Sequence, residues 1–294
     1  MSSHKKMILI GAVVVVACFV AAVLGIYQNS KAHSKQETKA QEQSEKAYTD
    51  NASSDNAQKE DLDKEITKKA KGCVIFLHSG GFVIGKNDYH EQFGDALGQA
   101  LGYDYLVPDY PINTTYVETL AFMEQIYKET MGKYDEVILV GCSAGANLTV
   151  ASMLEFGETY GMPDGVILMS PWLDTTMANE EITCVSDFDW EFFDSLVEWG
   201  SQYNGGDTES PLASPVKATK EQLAQFPKTV MVVGDEDILR FDAKLFCDKL
   251  TEAEVEVTYL TAEGKNHGAV FADYASSYEM PEIMNEALGL VRVQ

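Results

Sequence analysis

The sequence predicts an α/β domain, a mostly parallel β-sheet with helices on both faces, preceded by two segments that are not part of it. Three observations carry this. From Gly72 onward, short apolar runs rich in β-branched residues alternate with longer stretches of helical character, the pattern of βαβ units. Most of the runs are apolar throughout, as strands buried on both faces are. The texture of the chain also changes at Gly72, from polar and lysine-rich to apolar and acidic.

Cys73–Leu77 (CVIFL) is the first strand, and it ends in His78-Ser79-Gly80-Gly81-Phe82. Tyr105–Pro108 is a second short strand, and Glu118–Met131 reads as a helix. Val137–Val140 (VILV) is the third strand; it runs into Gly141-Cys142-Ser143-Ala144-Gly145 and a helix from about Ala146 to Tyr160. Val166–Met169 and Thr229–Val233 (TVMVV) are the fourth and fifth strands. A helix near Asp242–Ala253, a strand at Val255–Leu260 and a last helix near Pro281–Val291 complete the domain. Asn179 to Gly206 interrupts the alternation and carries Phe188, Trp190, Phe192, Phe193, Trp199 and Tyr203. At 28 residues it is long for a loop and short for a domain. Two readings stand for it: a small helical cap over a pocket at the carboxyl edge of the sheet, or a peripheral helix that uses its rings for packing.

Ahead of the domain, Ile8 to Tyr27 is an apolar run of 20 residues without a charge, preceded by His4, Lys5 and Lys6. As a helix it would be roughly 30 Å long, enough for a bilayer core. The expectation is a transmembrane signal anchor over residues 1–27, with everything after Tyr27 outside the cytoplasm. A cleaved signal peptide and a lipoprotein signal at Val15-Val16-Ala17-Cys18 are the alternatives. Residues 28–71 are rich in Lys, Gln, Glu, Ser, Asn and Asp, with Tyr48 their one aromatic. Such a tract cannot bury enough surface to offset ordering, so it is expected to be a disordered spacer. The domain then occupies 72–294.

Charge narrows the partners. Residues 1–71 hold 11 basic and 9 acidic residues; the remainder holds 11 basic and 37 acidic, a net of −26 against −24 for the whole chain. A domain that acidic repels nucleic acid and anionic lipid. The five cysteines, Cys18, Cys73, Cys142, Cys184 and Cys247, have no metal-ligand spacing.

The chemistry is concentrated at strand ends. Gly141-Cys142-Ser143-Ala144-Gly145 is a G-x-S-x-G pattern between an apolar strand and a helix. A tight turn there needs small neighbours and holds the serine hydroxyl clear of the backbone. The domain has three histidines, His78, His90 and His267. His267 follows the last strand, in a loop able to reach the carboxyl edge where Ser143 lies, and is the candidate general base. A carboxylate must orient it. Gly234-Asp235-Glu236-Asp237 ends the fifth strand, and the residues themselves leave Asp235 and Asp237 both open. Gly80, Gly81 and Ala144 are candidate backbone donors to an oxyanion.

These motifs resemble the hormone-sensitive-lipase-like family of α/β-hydrolases, which includes bacterial acetyl esterases. His78-Ser79-Gly80-Gly81-Phe82 resembles H-G-G-G-F, and Asp109-Tyr110-Pro111 resembles D-Y-R. The serine segment through Asn147-Leu148 resembles G-D-S-A-G-G-N-L. Ser170-Pro171-Trp172-Leu173-Asp174 and Ser210-Pro211-Leu212 have counterparts as well. Asp237-Ile238-Leu239-Arg240 resembles D-P-L-R, whose Asp is the triad acid, and this selects Asp237; His267-Gly268 resembles the H-G of the triad histidine. The resemblance implies an α/β-hydrolase fold and a serine esterase with a Ser143, Asp237, His267 triad, no metal or organic cofactor, and a small-molecule or saccharide ester as substrate. A peptidase or amidase of the same fold, or an inactive ligand-binding protein at a bacterial surface, is the alternative. Ser79, Cys142 and Ala146 depart from the pattern, and family members usually have two further strands before the His-Gly-Gly strand.

Overall fold

A computed structural model describes residues 71–184, 187–268 and 271. Six strands form one sheet in the order β2-β1-β3-β4-β5-β6, every neighbouring pair parallel. In chain order these are β1 (Gly72–Leu77), helix α1 (Asp88–Leu101), β2 (Asp104–Leu106), α2 (Tyr116–Lys133), β3 (Glu136–Cys142), α3 (Ala144–Tyr160) and β4 (Gly165–Met169). They continue as α4 (Asp187–Asn204), the short α5 (Lys220–Leu223), β5 (Thr229–Gly234), α6 (Arg240–Glu252) and β6 (Val257–Ala262).

The sheet separates two cores, because successive side chains of a strand point to opposite faces. Ile75, Leu77, Leu139, Leu168 and Met231 pack on one face. Val74, Phe76, Ile138, Val140, Ile167 and Val232 pack on the other, against Phe93 and Leu97 of α1. Burial on both sides explains why β1, β4 and β5 read as unbroken apolar runs.

Topology then places the site. From β1 the chain steps to β2 through α1, returns past β1 through α2, and enters β3 on the other side. The carboxyl ends of β1 and β3 therefore border the point where the strand order reverses, the crevice in which open α/β sheets place their ligands. His78–Gly81 and Ser143 follow those two ends.

One difference from the sequence reading has a physical cause. Helix α1 was not anticipated. Its Gly94 and Gly98 lower helix propensity, yet a Cβ on Gly94 would lie 2.3 Å from the Val107 side chain, so the glycine is what lets the helix lie flat on the sheet. The interruption at Asn179–Gly206, expected to be helical in either reading, contains the 18-residue helix α4.

The membrane-anchored, extracytoplasmic placement is corrected: among the described residues no helix is long and apolar enough to cross a membrane. A span needs about 20 consecutive apolar residues, whereas the 18-residue helices α2 and α4 carry charges throughout, such as Glu118, Glu124 and Lys128 in one and Glu191, Asp194 and Glu198 in the other. The run Ile8–Tyr27 on which that placement rested lies outside the described residues, as do the spacer up to Ala70 and the helix expected near Pro281–Val291.

Candidate active site

Ser143 occupies the single residue between β3 and α3, with φ 55° and ψ −116°. A non-glycine residue at positive φ is strained, and two neighbours hold it there. A Cβ on Gly145 would lie 2.0 Å from the Leu77 carbonyl oxygen, and one on Gly141 2.5 Å from the Gly145 carbonyl oxygen. The first and last glycines of the motif are therefore required by close approach of β1, β3 and α3. The Ser143 N–H donates to the Met169 carbonyl at 2.9 Å, fixing the turn to the end of β4.

The Ser143 hydroxyl lies 3.0 Å from Nε2 of His267. Nδ1 of His267 lies 3.1 Å from each carboxylate oxygen of Asp237. An ionised carboxylate only accepts, so Nδ1 carries the proton and Nε2 presents its lone pair to the serine. Asp237 is fully buried, and Oδ1 also accepts from the Leu239 N–H at 2.9 Å. Burial pushes its carboxyl up, but the electrostatic pull of His267 and the hydrogen bonds from His267 and Leu239 outweigh this and hold it below the usual carboxylate range. Asp235 is exposed and faces elsewhere: its Oδ1 accepts from the N–H groups of Gly264 and Lys265. The structure thus brings Ser143, His267 and Asp237 together and leaves Asp235 out of the row.

Gly80 and Gly81 follow β1 at φ 130° and 60°. The Gly80 carbonyl accepts from Val83 and Ile84, which folds the segment into a turn. Ala144 is the first residue of α3. Beneath this turn lies a stack of rings. His78 is parallel to Tyr110 at 4.1 Å and stacked on His90 at 5.1 Å, and the Tyr110 hydroxyl donates to the His78 carbonyl at 2.6 Å. The tautomer of His90 follows from its partners. The Asn87 N–H donates to Nδ1 at 3.2 Å, so the proton sits on Nε2 and points to the Ser79 hydroxyl, 3.2 Å away. Burial lowers His90 to about 4 and also lowers His78. Both are buried neutral imidazoles that support the glycine turn, and neither offers a base to Ser143.

Two of the three motif departures, Ser79 and Cys142, are local. Ser79 is held by His90. Cys142, buried beside Ser143, has its thiol pushed well above the usual range by burial first and the Asp237 charge second. Asn147 ties the later motifs together: its side-chain amide donates to the carbonyls of Trp172 and Ala213 at 3.0 and 2.9 Å.

Helix α4 closes over the site from two points. The ring of Phe192 lies on His267, and the Trp199 ring fills the space in which a Cβ on Gly81 would fall, 2.4 Å from that ring. Tyr203 stacks on Phe82 at 3.5 Å. Trp190, in contrast, faces solvent. Among the described residues, no group of three or more His, Cys, Asp or Glu is placed to hold a metal ion.

A family model described as the alpha/beta hydrolase fold matches residues 74–271. The chain belongs to the α/β-hydrolases. This hydrolase is similar to an esterase of Acinetobacter venetianus, 28% identical over 192 residues that cover 63% of each chain. It is also similar to an acetyl-hydrolase of Streptomyces hygroscopicus, 26% identical over 203 residues that cover 63% of this chain and 64% of the relative. It spans just under two thirds of the length of both relatives. Among solved structures, a hormone-sensitive lipase from a metagenome library superimposes with a TM-score of 0.64 at 26% identity, covering 76% and 78% of the two chains. An esterase/lipase from an uncultured bacterium does so with a TM-score of 0.64 at 22% identity, over 75% and 78%. The resemblance of the hydrolase to the hormone-sensitive-lipase-like family, and the α/β-hydrolase fold expected from it, are borne out.

Proposed function

We propose that this α/β-hydrolase is a serine carboxylesterase that cleaves short-chain, acetyl-like esters of small molecules or saccharides through an acyl-enzyme. The observation that carries the proposal is the row of contacts from Ser143 through His267 to the buried Asp237, at 3.0 and 3.1 Å. The names of the relatives, esterase and acetyl-hydrolase, support the same reading.

In this mechanism the Ser143 oxygen attacks the ester carbonyl carbon while Nε2 of His267 takes its proton. The carbonyl π electrons move onto oxygen, and N–H groups of Gly80, Gly81 and Ala144 stabilise that charge. Asp237 holds the imidazole in the required tautomer and stabilises the imidazolium. The tetrahedral species collapses: the C–O bond to the alcohol breaks and His267 returns its proton to the leaving oxygen. Water then attacks the acyl-enzyme, with His267 again as base, and releases the acid and Ser143.

Steady-state hydrolysis of p-nitrophenyl acetate tests this. Ser143→Ala and His267→Ala should each lower kcat by roughly 10⁴-fold or more with the fold retained. Asp237→Asn should be severe and Asp235→Asn mild. Near-native turnover in the Ser143 or His267 variant would overturn the assignment, and the reverse ranking of the two acids would move the orienting role to Asp235.

A further inference from the structure

We propose that Asp235 is a positioning residue for His267. It clamps the loop that carries the base onto the loop that carries Asp237, and this rests on the triad reading above. The two loops are pressed together after β5 and β6. A Cβ on Gly234 would lie 2.0 Å from the Lys265 carbonyl oxygen, so only glycine permits the approach. The Asp235 N–H donates to the Ala262 carbonyl at 3.2 Å, and the Glu236 N–H to the Lys265 carbonyl at 3.0 Å. The Asp235 side chain completes the joint, one oxygen accepting from Gly264 at 2.7 Å and Lys265 at 3.3 Å.

His267 lies two residues past that joint. Gly264 (φ 67°) and Gly268 (φ 84°) flank the segment that carries His267, so its backbone has little stiffness of its own. The His267 side chain contacts Ser143, Asp237 and the Phe192 ring. Asp235 therefore fixes where the imidazole stands relative to Asp237, through the chain and without touching the imidazole. The carboxylate is exposed and supports no core packing, so its removal loosens the loop and leaves the domain folded. A hydrogen bond that competes with water contributes modestly. A small displacement of a base is nevertheless costly in rate.

The test compares the wild-type full-length chain with Asp235→Ala and Asp235→Asn. It reads kcat and KM for p-nitrophenyl acetate, the rate of Ser143 labelling by a fluorophosphonate, thermal midpoint, and the downfield proton resonance of the His267–Asp237 hydrogen bond. Asp235→Ala should lower kcat and labelling rate about tenfold, leave KM within about twofold, and broaden or shift the resonance, at a thermal midpoint near wild type. Asp235→Asn, which keeps an acceptor oxygen, should restore most of the rate and the resonance. Wild-type rates and an unmoved resonance in Asp235→Ala would overturn the proposal. So would Asp235→Asn falling as far as Asp235→Ala. If the wild-type chain neither hydrolyses nor labels, the triad reading fails, and the resonance alone still decides whether Asp235 holds the His267–Asp237 contact.

Discussion

The ring of Phe192 lies over the imidazole of His267, centroids 4.7 Å apart and planes 28° from parallel. One helix turn carries this contact, and Trp199, two turns on, covers Gly81. Helix α4 therefore touches both the proposed base and the proposed oxyanion turn.

Rings so placed should shorten the space for an acyl chain and exclude water. Across p-nitrophenyl esters of two to sixteen carbons, kcat/KM should peak at two to four carbons. Trp199→Ala should move the maximum to longer chains, and Trp190→Ala, on the solvent side, should leave the profile in place. A wild-type maximum at eight carbons or above, or activation at an oil–water interface, would contradict this account of α4.

Gly145→Ala should be among the most damaging single-methyl additions in the domain. Its Cβ would meet the backbone oxygens of Leu77 and His78, at 2.0 and 2.5 Å. Backbone cannot step aside as a flexible side chain can, so the strand and helix must separate. A loss of roughly 1–3 kcal/mol in stability is expected, together with most of the esterase activity. A urea denaturation midpoint equal to wild type would show that the elbow is looser than described.

How much of this was legible in the sequence differs by element. The central strands were, because burial on both faces leaves the plain apolar runs of β1, β3 and β5. The serine elbow was too, because its glycines are imposed by contact distances that any residue with a Cβ would violate. Helix α1 was not: the glycines that seat it on the sheet are the residues that weaken a helical reading. Nor was the different placement of Asp235 and Asp237. Both follow one strand, two residues apart, and only the family resemblance chose between them; the distances now separate a carboxylate facing His267 from one facing the loop backbone. Which aromatics of α4 faced inward was likewise undetermined, because neighbouring rings such as Phe192 and Phe193 cannot be assigned to a face until the helix is docked.

Acid should destabilise the domain through His90. Its folded-state value of about 4 lies below the usual 6.5 for histidine, so the unfolded chain binds the proton first. Stability is then complete above about pH 6.5 and falls as pH drops towards 4. A displacement of that size corresponds to roughly 3 kcal/mol. His78, lowered in the same direction, adds to it. Thermal midpoints measured from pH 7.5 to 4.5 should fall more steeply for wild type than for His90→Leu, which cannot titrate. Equal slopes would exclude His90 as the source.

Cys142 sits beside Ser143, buried, with its thiol pushed well above the usual range by burial and the Asp237 charge. A thiol held protonated is a poor nucleophile. Iodoacetamide at pH 8 should leave Cys142 unmodified in the folded chain and alkylate it in denaturant, as read by peptide mass. Rapid modification of the folded chain would mean that the elbow opens to solvent.

The central claim is that Ser143 is a nucleophile activated by His267. Reaction of the folded chain with a fluorophosphonate, followed by proteolysis and mass mapping, tests it without choosing a substrate. One adduct is expected, on the peptide containing Ser143. It should be absent in Ser143→Ala and form at least about a thousandfold more slowly in His267→Ala. No adduct, an adduct on another residue, or an undiminished rate in His267→Ala would contradict the claim.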